Sequence, residues 1–199
     1  PAPTATPAVE AQPADALTLE EKVGQLFIVR PDALNLSLSQ ETINDAKADG
    51  VTTVTNDMRR ALQQYPVGGI CQFGKNIESP SQLARFNKEL QDASATPLFI
   101  AVDEEGGLIA RLANNDAFTL PRYASAAAVG ASGDPDDARA MGQTIGAYLK
   151  EYGFTMDFAP DADVNTNPDN PIIGTRAFSS DAGTAAAMAA AMADGLRQN

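Results

Sequence analysis

The stretch Pro97–Gly107, PLFIAVDEEGG, decides how the fold is read. From Leu98 to Val102 both alternating faces are apolar, the pattern of a strand buried on two sides. Such strands belong to parallel sheets covered by helices. The run then stops in three carboxylates and two glycines, Asp103 to Gly107. In α/β folds that place, the C-terminal end of a buried strand, is where ligands gather.

The same alternation recurs on either side. Upstream, LTLEEKVGQLFIV (17–29) opens with Thr18 and Glu21, a capping box that starts a short helix, and the run Leu26–Val29 reads as a strand. VGGICQF (67–73) is a second strand, whose glycines predict another element lying close to the backbone. Ser81 is read as the cap of a helix through QLARFNKELQDA (82–93). Downstream, Asp134 is an N-cap, Pro135 fits the first turn, and Asp136 and Asp137 complement the helix dipole. Gly153 closes that helix, with Ala138, Met141, Ile145, Tyr148 and Tyr152 as its inward stripe. FTMDFAP (154–160) is the fourth strand, and an Ala/Met-rich helix runs from about Ser180 to Arg197. The polar segment Pro31–Tyr65 holds helical fragments such as ETINDAKA (41–48) and takes no detailed assignment. Strand alternates with helix four times, over connections long enough for parallel crossovers. A doubly wound sheet and a β/α barrel both fit.

Composition removes several kinds of chemistry. The chain of 199 residues carries a formal charge of −12 with only 14 Lys plus Arg, so a nucleic-acid partner is not expected. It has no histidine, which excludes Ser-His-Asp, Cys-His and His-ligated metal sites within it. The single Cys71 cannot form an intrachain disulfide, and its apolar setting GGICQF reads as a buried, inert thiol. No apolar stretch approaches the roughly 18 residues of a membrane span. Residues 1–16, PAPTATPAVEAQPADA, are Pro/Ala/Thr-rich without periodicity and read as a flexible tether ahead of a domain over 17–199. Tethers of this kind often follow a removed export signal or lipid anchor, so an extracellular or cell-surface protein is expected, with a cytoplasmic one as the alternative.

Two clusters carry candidate chemistry. In VDEEGG, Asp103 and Glu105 point to one side of an extended segment and Glu104 to the other. Paired carboxylates at a strand end suit a glycosidase acid and nucleophile. The plainer alternative is one carboxylate orienting a ligand or an arginine while the glycines turn the chain. Arg111, eight residues past Asp103, can reach back to the same pocket. In DADVNTNPDN (161–170), Asp161, Asp163 and Asn165 imitate the start of a calcium loop. The pattern fails where the turn glycine is Thr166 and the bidentate glutamate is Ile172. A loop that ties up its own backbone through Asx side chains fits better. It would present Arg176 either to sugar hydroxyls or, structurally, to a neighbouring aspartate.

At these residues the chain resembles the N-terminal domain of glycoside hydrolase family 3, in its β-N-acetylglucosaminidase branch. LTLEEKVGQLF, GGICQFGKNI, PLFIAVDEEGGLIARL and FTMDFAPDADVNTNPDNPIIGTRAF occur in the family's order from Leu17 onward. The resemblance implies a (β/α)8 TIM-barrel-type fold, of which this chain supplies about the first four β/α units. It also implies retaining hydrolysis of terminal β-linked N-acetylglucosamine, often from peptidoglycan fragments, without a metal or other cofactor. Asp103, Arg111 and Arg176 would be substrate-binding, and Leu108 departs from the arginine common after the paired glycines. The family's Lys-His pair, its His-Asp acid/base loop and its nucleophilic aspartate have no counterpart here. No catalytic residue is therefore assigned, and the chain alone is expected to be inactive, the missing half lying in another segment or chain. The alternative is a short homologue that binds glycan or a partner without catalysis.

Overall fold

The computed structural model describes residues 14–199. The tether read over 1–16 lies outside them except for Ala14–Ala16, a single 3-10 turn. The described strands are β1 (Ile28–Val29), β2 (Gly69–Cys71), β3 (Phe99–Val102), β4 (Glu104–Gly106), β5 (Ile109–Ala110) and β6 (Met156–Asp157). The helices are α1 (Leu19–Gly24), α2 (Gln40–Asn44), α3 (Asn56–Gln64), α4 (Pro80–Ala93), α5 (Ala126–Gly130), α6 (Pro135–Glu151) and α7 (Ala182–Arg197). Among the described residues no helix is long and apolar enough to cross a membrane.

The main sheet is parallel, in the order β1-β2-β3-β6. Each new strand adds on the same side of the last, with helices in every crossover. A doubly wound sheet would reverse its direction of growth at a switch point. Sequential growth is the TIM-barrel type of α/β fold, and four such units are present here.

Local chemistry sets most boundaries. Thr18 and Glu21 form both halves of the capping box. Asp134 accepts from Asp136 N–H, with Pro135 in the first turn of α6, and Gly153 follows the helix at φ 84°. Of the stripe expected on α6, Ala138, Met141, Ile145 and Tyr148 are buried. One cap moves: the N-cap of α4 is Ser79 rather than Ser81, because Ser79 Oγ accepts from Gln82 N–H and Pro80 suits the first turn. β1 is shorter than Leu26–Val29, since Leu26 N–H and Phe27 N–H bond back to Val23 and Gly24 in the last turn after α1. The glycine expectation in β2 holds. A Cβ on Gly69 would sit 2.6 Å from the Phe99 carbonyl oxygen of β3.

The core lies between the sheet and its helices. Ile70, Ile100 and Val102 meet Leu83, Phe86 and Leu90 of α4, Met141 and Ile145 of α6, and Met188 and Met192 of α7. Burying one such side chain stabilises by about 1.5–3 kcal/mol. This floor holds the strand ends, and with them the carboxylates, in place.

Candidate functional site

The site stands on the C-terminal ends of β3 and β6, and a hairpin builds half of it. After Val102 the chain runs through Asp103 into β4, turns at Gly106 and Gly107, and returns as β5. Gly107 has φ 63°, and a Cβ there would lie 2.9 Å from Ser125 Cα, so the turn requires glycine. Glu104 pairs with Ala110 across the ladder. One step outward in that register sets Arg111 opposite Asp103. Arg111 Nε donates to Asp103 Oδ1 at 2.7 Å, and Nη2 donates to Oδ2. The spacing of eight residues in the sequence is therefore the length of a hairpin that folds a guanidinium onto a carboxylate. This pair is partly open, the side chains being 28% and 22% exposed.

The second pair comes from farther away. Arg176 Nε and Nη2 donate to Glu105 Oε2 and Oε1 at 2.8 and 2.7 Å. Arg176 Nη2 also lies 3.2 Å from Asp161 Oδ2, without hydrogen-bond alignment. The bidentate partner is thus Glu105, 71 residues away, rather than a neighbour in its own loop. The loop carrying Arg176 is tied as its Asx content predicts. Asp163 N–H donates to Asp161 Oδ1, Asp169 N–H to Asn167 Oδ1, and Ile172 N–H to Asn170 Oδ1. Asn165 N–H donates to Ser179 O at 3.0 Å and closes the loop across its neck.

Glu104 faces the other way, as alternation requires, and is wholly buried. Its carboxylate accepts from Leu112 N–H, Ala113 N–H and the Tyr148 hydroxyl, each at 2.9 Å. It anchors the hairpin to α6. Burial, with Glu104 alongside, pushes the Tyr148 hydroxyl pKa up. Asp157 stands beside Val102 in register and accepts from Glu104 N–H at 2.9 Å. Its other oxygen is buried and has no hydrogen-bond partner among the described residues. Burial, reinforced by the charges of Glu104, Asp103 and Glu105 and opposed by the Glu104 amide, raises its pKa to about 8. Hydrogen bonds to Asp103 and Glu105 raise the pKa values of Arg111 and Arg176, so both stay cationic. Cys71 is half-buried rather than buried, and its thiol is pushed up to about 11, by burial and then by Asp103. It is protonated at neutral pH and therefore a poor nucleophile.

Asp103, Arg111 and Arg176, the three residues singled out in the sequence, thus each belong to an arginine–carboxylate pair carried by the segment that follows β3. Sequence reasoning missed Glu105 as the partner of Arg176, and Asp157 as a carboxyl held protonated. A signal for Asp157 existed, since an aspartate stands at the C-terminal end of both runs, Asp103 just after β3 and Asp157 as the last residue of β6.

The family profile "Glycosyl hydrolase family 3 N terminal domain" matches residues 18–199. Beta-hexosaminidase LpqI of Mycobacterium tuberculosis is 34% identical over 185 residues, which is 91% of this chain and 40% of that protein. A glycoside hydrolase family 3 β-N-acetylglucosaminidase from Paenibacillus sp. superposes with a TM-score of 0.75 at 33% identity. That match covers 92% of this chain and 31% of the neighbour. NagZ from Neisseria gonorrhoeae, in complex with N-trifluoroacetyl-D-glucosamine, gives 0.66 at 26% identity over 74% of this chain and 45% of that one. The chain spans less than half the length of these relatives.

Proposed function

The chain belongs to the glycosyl hydrolase family 3 N-terminal domain family, and on that premise we propose that the full-length protein is a retaining glycosidase. It removes terminal β-linked N-acetylglucosamine from glycans or peptidoglycan fragments, and this chain contributes sugar-binding groups. The observation that carries this reading is the pair of arginine–carboxylate couples, Asp103–Arg111 and Glu105–Arg176, side by side at the strand ends. A carboxylate and a guanidinium locked together offer acceptors and donors in fixed directions, which suits vicinal hydroxyls of a sugar ring. The names of the relatives and the sugar analogue in the Neisseria complex support the same substrate class.

The acid/base and nucleophile are proposed to lie outside this chain. Its carboxylates at the site are already engaged. Asp103 and Glu105 face arginines, Glu104 is spent on amides and a tyrosine, and Asp157 is closed off beneath Glu104. The composition of residues 1–16 supports export to the extracellular space or cell surface. The test is release of N-acetylglucosamine from an aryl β-N-acetylglucosaminide by the full-length protein, with product anomer read by NMR. Retained configuration is expected, with no turnover by residues 1–199 alone. Sugar binding without turnover by the full-length protein would instead favour a non-catalytic glycan binder. Neither binding nor turnover would refute both.

A further inference from the structure

The β3–β6 ladder ends at the register pair Val102–Asp157, where Phe158 N–H donates to the Val102 carbonyl at 2.8 Å. Past Asp103, the Glu104 amide meets a side chain instead of a strand carbonyl, and Asp157 Oδ1 accepts from it at 2.9 Å. Asp157 thus makes the last link between the two strand ends. Register partners in a sheet point to the same face. Val102 packs under the helices, so Asp157 stands on that face as well. There it lines a cleft of about 550 Å³ with Leu149 and Lys150 of α6 and Leu196 and Arg197 of α7. Its carboxyl therefore acts on the sugar side only through the backbone that it holds.

The amide that it holds is centrally placed. Asp103 precedes Glu104 and Glu105 follows it, and these two carboxylates receive Arg111 and Arg176. The Glu104 carboxylate ties the segment to the returning strand and to α6, and the Asp157 bond ties it to β6. Around Asp157 stand the charges of Glu104, Asp103 and Glu105, the Tyr148 hydroxyl of α6, and Lys150 and Arg197 in the cleft wall. Its Oδ2 is buried with no hydrogen-bond partner among the described residues. Burial, with those three carboxylates and against the Glu104 amide, raises its pKa to about 8. In the neutral form Oδ1 accepts the amide without stranding a charge. In the ionised form the carboxylate is repelled by its neighbours and drawn to water and the two cations of the cleft, away from the amide.

We propose that Asp157 is a positioning residue for sugar binding, whose neutral carboxyl holds the Glu104 amide and so sets Asp103 and Glu105 in the direction that engages the sugar. The inference rests on the glycosidase reading above and adds the device that keeps its pocket in shape. Ionisation turns the carboxylate toward the cleft, releases the amide and lets the Asp103–Glu105 segment shift. A misplacement of that size is sufficient to weaken directed hydrogen bonds to a ligand. Sugar affinity is therefore full in acid and neutral solution and falls in alkali.

The test is calorimetric titration of the full-length protein with N-acetylglucosamine at about pH 7 and about pH 9. Wild type is expected to lose about tenfold in affinity between the two, as linkage to one proton released near pH 8 requires. Asp157→Asn keeps an acceptor for the amide and cannot ionise, so its affinity should be the same at both. Asp157→Val has no acceptor and should bind about tenfold more weakly than Asp157→Asn at either pH. Titrating groups outside residues 1–199 act on wild type and Asp157→Asn alike, so the difference between their profiles isolates Asp157. Parallel profiles for those two proteins, or equal affinities for Asp157→Asn and Asp157→Val, overturn the proposal. If N-acetylglucosamine binds at neither pH, the glycosidase reading has failed, and hydrogen exchange at the Glu104 amide then reads the link directly. Its protection, corrected for the intrinsic rate, should fall through about pH 8 in wild type. Protection unchanged over that range overturns the proposal, and the same measurement decides if the variants do not fold.

Discussion

Replacing Arg176 by methionine removes the guanidinium while keeping most of the side-chain volume. Glu105, its bidentate partner, is only 7% exposed, and Asp161 beside it only 5%. Breaking a buried pair from one side typically costs about 3–5 kcal/mol, because the remaining charge is left without water or partner. Arg176→Met should therefore destabilise this chain by about 3–5 kcal/mol. Glu105→Gln with Arg176→Met should recover part of that loss, the remainder reflecting Asp161, which is left without its cation. The chain has no tryptophan, so urea unfolding followed by far-UV circular dichroism is the suitable assay. A loss below about 1 kcal/mol would show that water reaches Glu105 and that the pair is not structural. The same substitution also reports on function. A role in sugar binding requires a loss of kcat/KM in the full-length protein that the double variant does not recover.

Asp157, with its pKa raised to about 8 from 3.8, binds a proton in the folded chain that it releases on unfolding. That contribution is complete below the unfolded value and is lost as pH rises through the folded one, with a slope approaching about 1.4 kcal/mol per pH unit between them. Asp157→Asn should flatten the fall in stability between about pH 5 and pH 8, and parallel pH profiles for variant and wild type would contradict the assignment. Tyr148→Phe removes a buried donor to Glu104 and should cost about 1–3 kcal/mol in urea unfolding; an unchanged midpoint would mean that Glu104 is satisfied by its two amides.

Several elements were legible because their causes are local. The capping box at Thr18 and Glu21, the Asp134–Pro135 start of α6 and the stripe from Ala138 to Tyr148 each depend on residues a turn or two apart. The strands were recognised as apolar runs but came out too long, because helix-end turns claimed Leu26 and Phe27 and because Phe154 N–H bonds back to Leu149. Within the site, Asp103 with Arg111 was accessible for the same reason, since one hairpin joins them. Arg176 was seen, but its bidentate partner was not.

The sequence by itself determined the α/β class, the family, the places where strands end in acidic residues, and the absence of histidine and disulfide chemistry. These depend on period, composition and short spacings, which survive without knowledge of what lies beside what. Only the tertiary structure decided between a doubly wound sheet and sequential barrel-type growth, joined Arg176 to Glu105, and closed Asp157 beneath Glu104. Strand order and charge pairing depend on residues tens of positions apart. Their energies arise only when packing removes water and fixes distance, and neither can be read along a line.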